Sequence, residues 1–231
     1  MKFNRAQFAT LFSNYLTTKP ESRAMVLDSW KSQQFGQYLL DAEKQLLAQA
    51  DRFSARASER APEAAWAQSA SAWVSFAKKD YQVASQQSAR AVRLDPNDPH
   101  IVEFDALIAL YTGDFDRVIS ESRRVEPLVS DAPGFVFRNA VGSALFHVGD
   151  YDGSIAAFEK AIATGGPVGP PVLAYLMAAN QKLGRTERAR ELAAQFSRTW
   201  PDAAIDAAMR RLFADQSHAD DVIAAMRTAG W

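Results

Sequence analysis

Three histidines, His100, His147 and His218, are the chain's whole supply of imidazole, and they bound the chemistry it could perform. An imidazole base needs a nucleophile within hydrogen-bond reach, and a helical metal motif uses histidines at i and i+4. The three are far apart in the chain with no such pairing, so they read as surface or groove histidines. With no cysteine there is no thiol nucleophile, disulfide framework or thiolate metal site. No G-x-S-x-G elbow occurs, and Gly142-Ser143 is explained by the small residues that close helix packing needs. The glycine-rich stretch Gly165-Gly166-Pro167-Val168-Gly169-Pro170-Pro171 lacks the lysine and the preceding strand of a phosphate-binding loop. It reads as an inter-repeat connection, with a bend stiffened by its prolines as a second reading. The acidic pairs Asp114 with Asp116 and Asp150 with Asp152 could suggest metal or acid-base work, but their place at turns makes helix capping the simpler reading. No catalytic residue, metal site or cofactor is expected, and the chain reads as a binding module and not an enzyme.

Charge excludes another class. Lys plus Arg number 26 against 27 Asp plus Glu, a formal net charge of -1, so no overall field attracts nucleic acid or an anionic membrane. Arg185, Arg188, Arg190 and Arg198 alternate with Glu187 and Glu191 at spacings that pair on a solvated helix. A 48% hydrophobic and 23% charged composition fits a globular protein. The start, Met1-Lys2-Phe3-Asn4-Arg5, is charged and polar, so a secretory signal peptide is not expected, and no apolar run approaches the ~18 residues of a spanning helix. A cytoplasmic protein without membrane insertion is expected.

The elements that must position these residues are set by a repeat. Asp80-Tyr81 returns as Gly113-Asp114-Phe115-Asp116, as Gly149-Asp150-Tyr151-Asp152 and more loosely as Gly184-Arg185-Thr186-Glu187. Measured from Lys79, which stands in the glycine's place, the spacings are 34, 36 and 35. Glycine ends one helix in the left-handed conformation and the following Asp caps the next. Small or modest side chains follow as Ala84, Val118, Ser154 and Ala189, and three recur seven residues on as Ala91, Val125 and Ala161. Pro96 and Pro201 stop the second helices of their pairs, with Pro127 and Gly165-Gly166-Pro167 in similar roles.

Taken together, these residues resemble the tetratricopeptide repeat, most fully in Gly142, Gly149, Asp150, Tyr151, Asp152, Phe158, Lys160 and Ala161. The resemblance implies an all-α fold, a right-handed α-solenoid of antiparallel helix pairs. Four repeats are expected at about 65 to 98, 99 to 132, 135 to 168 and 170 to 203, within a repeat region of 63–203. In residues 1–62, Phe8, Leu11, Phe12, Tyr15 and Leu16 form one amphipathic helical stripe. A second helix is expected from Glu21 to about Lys31 and a third over about 37 to 57; Ala42 as the counterpart of Ala84 suggests a degenerate repeat, while Gln49 and a spacing of 42 residues argue against one. Residues 204–231 carry helical spacing in Met209, Leu212 and Phe213 and in Val222, Ile223 and Met226. They read as a capping helix pair that solvates the last repeat. The stretch from Leu183 to Trp231 is also similar to the tails of bacterial signalling proteins that carry a class III adenylate cyclase or winged-helix domain.

In arrays of this family the first helix of each pair lines a concave groove. Carried over position by position, the resemblance assigns a partner-binding lining of Trp66, Trp73, Phe76, Glu103, Leu107, Tyr111, Asn139, Ser143, Phe146, His147, Gln181 and Lys182. Asn139 lacks the basic companions with which chaperone-binding members hold a carboxylate. The expected function is a non-catalytic scaffold for a protein or peptide partner, in bacterial signalling or regulation. Two other readings stand beside it: the regulatory portion of a larger cyclase or transcription regulator, and a self-assembling structural array, that is, a homo-oligomer.

Overall fold

In a computed structural model, residues 33–125, 135–166 and 168–231 are described. The expected helices at Phe8 to Leu16 and Glu21 to Lys31, and Pro127, lie outside them. The chain divides into two compact units, the first ending at Pro62 and the second running from Glu63 to Trp231. Of the first, the described element is helix α1, Gln33–Arg60. It is longer at both ends than the helix expected over about 37 to 57.

The second unit stacks four antiparallel pairs: α2 (Ala65–Ala77) with α3 (Tyr81–Leu94), and α4 (Pro99–Thr112) with α5 (Phe115–Val125). Next come α6 (Phe135–His147) with α7 (Tyr151–Ala163), and α8 (Pro170–Lys182) with α9 (Thr186–Thr199). The first helices α2, α4, α6 and α8 pack successively on one another and form one layer, hereafter the inner face. Each second helix packs on the first helix of the next pair.

The repeated turn has one geometry in all four copies. The amide of the residue after the glycine position donates back six residues inclusive, from Asp80 to Ser75, Asp114 to Ala109, Asp150 to Leu145 and Arg185 to Asn180, at 2.8 to 2.9 Å. This is a Schellman closure, which requires a left-handed residue and so favours glycine. Gly113 and Gly149 supply it with φ of 87° and 86°, while Lys79 adopts φ 67° and bears the steric cost of its Cβ. Capping is uneven. Asp150 accepts from the Gly153 amide at 2.9 Å and Asp114 from the Arg117 amide at 3.3 Å. Asp80 makes no side-chain cap bond, contrary to the expectation that each Asp caps its helix.

Tight packing explains the small residues. Ala84, Val118, Ser154 and Ala189 are each 0% exposed, and Ala91 and Ala161 are 1% exposed. A Cβ on Gly142 would stand 2.8 Å from the Phe158 ring, so only glycine allows α6 and α7 to approach this closely. One buried ionic knot ties the first two pairs together. Arg117 of α5 forks onto Asp105 of α4 through Nε and Nη2, with Nε to Oδ2 at 3.0 Å, and reaches Ser85 and Ser88 of α3 at 3.1 Å each.

After α9, the chain forms α10 (Ile205–Leu212) and α11 (Gln216–Thr228). α11 packs on α8, and α10 packs on α11. The link between them reaches the second pair, where the Ala214 amide donates to the Tyr111 carbonyl at 2.8 Å. The last two helices therefore do more than solvate the end of the array. They run along the inner face from the fourth pair to the second.

Candidate protein-binding face

Aromatic residues are threaded along the inner face because the repeat places a large side chain on the same side of successive first helices. Trp66 and Trp73 of α2 each meet Phe104 of α4 edge-on, with ring centroids 6.0 Å apart. Trp73 continues to Phe76 at 5.7 Å, Phe76 to Tyr111 at 6.0 Å, and Tyr111 to Phe213 at 5.6 Å. All but the tilted Phe76–Tyr111 pair are edge-to-face, a geometry that at these separations stabilises a pair beyond its area burial by about 0.5 to 1.5 kcal/mol. The Trp66 indole also donates to Asp98 at 3.0 Å, while the other oxygen of Asp98 caps α4 by accepting from His100 and Ile101. The cap fixes both the helix start and the indole.

The expected lining falls into two parts. Trp66, Trp73, Phe76, Glu103, Leu107 and Asn139 are half-buried, and Glu103 stands 3.6 Å from His100. Ser143 and Phe146 are buried, with the Ser143 hydroxyl donating to the Asn139 carbonyl at 3.0 Å and Phe146 only 1% exposed. These two serve the helix core more than a surface. Tyr111, His147 and Lys182, one from each of α4, α6 and α8, are brought together by the C-terminal pair. Lys182 bonds Asp221 of α11 at 2.6 Å, and Gln181 beside it keeps a buried side-chain oxygen without a protein partner.

At the centre of this second part is His147. Its ring stacks on Phe115 at 4.6 Å, meets Phe213 at 5.3 Å and His218 at 5.4 Å, and its Nε2 lies 2.9 Å from the Tyr175 hydroxyl. Burial, reinforced by the neighbouring His218, pushes the His147 imidazole down to about 4. Burial likewise pushes the Tyr111 phenol up to about 12 and Tyr175 well above the ordinary range. All three groups are held neutral across the physiological range. Two histidines far apart in sequence are thus neighbours in space, because the C-terminal pair folds back on the array.

Sequence reasoning missed Phe104, Phe115, Tyr175, Phe213 and His218 as members of this face. Of the tail's apolar positions Met209 and Phe213 are buried while Leu212 is exposed, and nothing in their spacing says against what they pack. Among the described residues no group of three or more His, Asp or Glu is placed to hold a metal ion. Among the same residues no helix is long and apolar enough to cross a membrane.

Antiparallel pairs with a Schellman turn, stacked through their first helices, define an all-α right-handed solenoid of the tetratricopeptide type. Two solved structures are similar to it along most of both chains. One, described as the crystal structure of PilW, a widely conserved type IV pilus biogenesis factor, matches with a TM-score of 0.58 and 14% identity over 89% of this chain and 90% of its own. The other, PilF of Pseudomonas aeruginosa, matches with a TM-score of 0.57 and 15% identity over 90% and 93%. No protein-family model matches the chain. No curated protein sequence matches it either. The structural likeness carries the fold.

Proposed function

We propose that this chain is a non-catalytic scaffold that binds a protein or peptide partner along the inner face of its solenoid. The observation that supports this most is the aromatic ladder from Trp66 through Phe104, Trp73 and Phe76 to Tyr111, set on a rigid stack of helices. Tryptophan and tyrosine offer large contact areas at small entropic cost and dominate the energetics of protein interfaces. A stacked array presents them in fixed register. Half-buried Glu103, Leu107 and Asn139 flank the ladder and supply a polar and apolar rim.

The lining near Tyr111, Phe146, His147, Gln181 and Lys182 already receives Phe213 and α11, so the partner engages the half nearer α2 and α4. A bacterial signalling or regulatory setting, and a role as the regulatory portion of a larger protein, rest on the resemblance of Leu183 to Trp231 to signalling-protein tails. The scaffold reading is independent of that setting.

The test is site-specific photo-crosslinking in native extract. A crosslinker at Leu107 or Asn139 should give polypeptide adducts that are absent when it is placed at Ser120 of α5 or Glu159 of α7, which are exposed on the second helices. Adducts of equal yield at all four positions, or only at the latter two, would overturn the inner-face assignment.

A further inference from the structure

The contact between the C-terminal helix pair and the array has an unusual composition. It is held by the Ala214 amide on the Tyr111 carbonyl, by the Phe213 ring between Tyr111 and His147, and by Lys182 on Asp221. At its centre two imidazoles face each other, His147 from α6 and His218 from α11, with ring centroids 5.4 Å apart. His218 also meets Phe115 edge-on at 4.9 Å and lies against Gly113, where a Cβ would be 3.2 Å from its Nε2. Phe213 is 3% exposed, so the pocket is closed to water on that side.

We propose that the His147–His218 contact is a pH-sensitive latch, which holds α10 and α11 on the inner face at neutral pH and loosens them on acidification. The physical ground is that a proton on His147 would create a cation packed among Phe115, Phe146, Phe213 and Tyr175, facing a second imidazole across the tail interface. Solvating that charge requires the tail to move away, because the other walls of the pocket belong to the stacked helices. Burial and the neighbouring His218 already disfavour the charged form in the closed state.

The titratable and charged groups around His147 do not offset this. Tyr111 from α4 and Tyr175 from α8 are neutral phenols, and Tyr151 opens α7. From α11, Asp221 favours the imidazolium but less than burial and His218 oppose it, and it is engaged by Lys182 of α8. Asp215, which caps α11, is held below the usual carboxylate range by the Ser217 amide and so stays ionised through mild acidification. Asp114, ahead of α5, caps its own helix and lies 4.0 Å from Arg117. The latch bears on the binding reading only in governing how much of the inner face the tail covers. It stands or falls without a partner.

Hydrogen exchange of the full chain between pH 7.5 and 5.0, corrected for the intrinsic pH dependence of exchange, tests it. In the wild type, amides of α11 should open about 30-fold more at pH 5.0, from the linkage between a free imidazole and one shifted down to about 4, while amides of α3 change little. His147→Gln keeps a polar contact to Tyr175 but cannot take the proton, and should abolish the excess. His218→Gln should reduce it, and serves if His147→Gln does not fold. Unchanged α11 exchange in the wild type, loosening of α3 and α11 together, or an undiminished pH response in the foldable variants would each overturn the latch. An unresponsive tail would leave the inner-face crosslinking result intact, and failed crosslinking would leave the latch intact.

Discussion

Removing the carboxylate of Asp105 should uncouple the first two helix pairs. Asp105 is 2% exposed, and its partner Arg117 has a side chain 18% exposed. The guanidinium spends two donors on this carboxylate and two more on the Ser85 and Ser88 hydroxyls, so α3, α4 and α5 meet at one cation. Asp105→Ala deletes the forked counter-charge, leaves only the more distant Asp114 at 4.0 Å and Glu121, and keeps Arg117 in a site where burial already lowers its affinity for the proton. Breaking one side of a buried pair costs about 3 to 5 kcal/mol, whereas removing both charges costs much less. The double variant Asp105→Ala, Arg117→Met should therefore recover at least about 1 kcal/mol of the loss. Urea unfolding followed by far-ultraviolet circular dichroism gives both values. Hydrogen exchange should place the loss at α3, which Arg117 ties to α4 and α5 through Ser85 and Ser88. A loss under about 1 kcal/mol in the single variant, or a double variant less stable than the single, would refute the reasoning.

Other substitutions probe the register and the site. Ala91→Leu and Ala161→Leu each insert bulk at positions 1% exposed and should cost roughly 1 to 3 kcal/mol, read as a lower melting temperature; unchanged values in both would contradict the helix pairing. Ser154 is 0% exposed with a hydroxyl that has no protein partner, so Ser154→Ala should stabilise the chain by about 1 kcal/mol in urea unfolding. The His147 imidazole is neutral in the fold and protonates more easily when unfolded, so its contribution is fully present above pH ~6.5 and is lost as pH falls toward 4. The urea midpoint should fall across that window by the equivalent of about 3 kcal/mol, and His147→Gln should flatten the change.

The repeat was legible because its signals are local. Glycine or its stand-in, an acidic residue and an aromatic at spacings of 34 to 36 residues mark the turns, and small residues at fixed offsets mark the close helix contacts. What the sequence did not reveal depends on contacts across long separations. Asp105 and Arg117 lie on different helices, and nothing in their local pattern distinguishes a buried pair from two solvated charges. The tail shows the same limit: the helical spacing of Met209, Leu212 and Phe213 signals an apolar face, but only Met209 and Phe213 are buried, and Phe213 meets Tyr111, about a hundred residues earlier. His147 and His218 looked unrelated in the chain for the same reason. Of the expected lining, the positions themselves follow from the repeat frame, while the division into a half-buried part and a tail-covered part follows from tertiary packing.

We propose that the inner face beside α2 and α4 binds a protein partner. The most direct measurement is quantitative affinity capture from native extract with the wild-type chain beside the double variant Leu107→Glu, Asn139→Arg, whose helical content is checked by circular dichroism. Both positions are half-buried on the inner face. At least one protein should be recovered by the wild type and lost from the correctly folded variant. Recovery of the same proteins by both would contradict it.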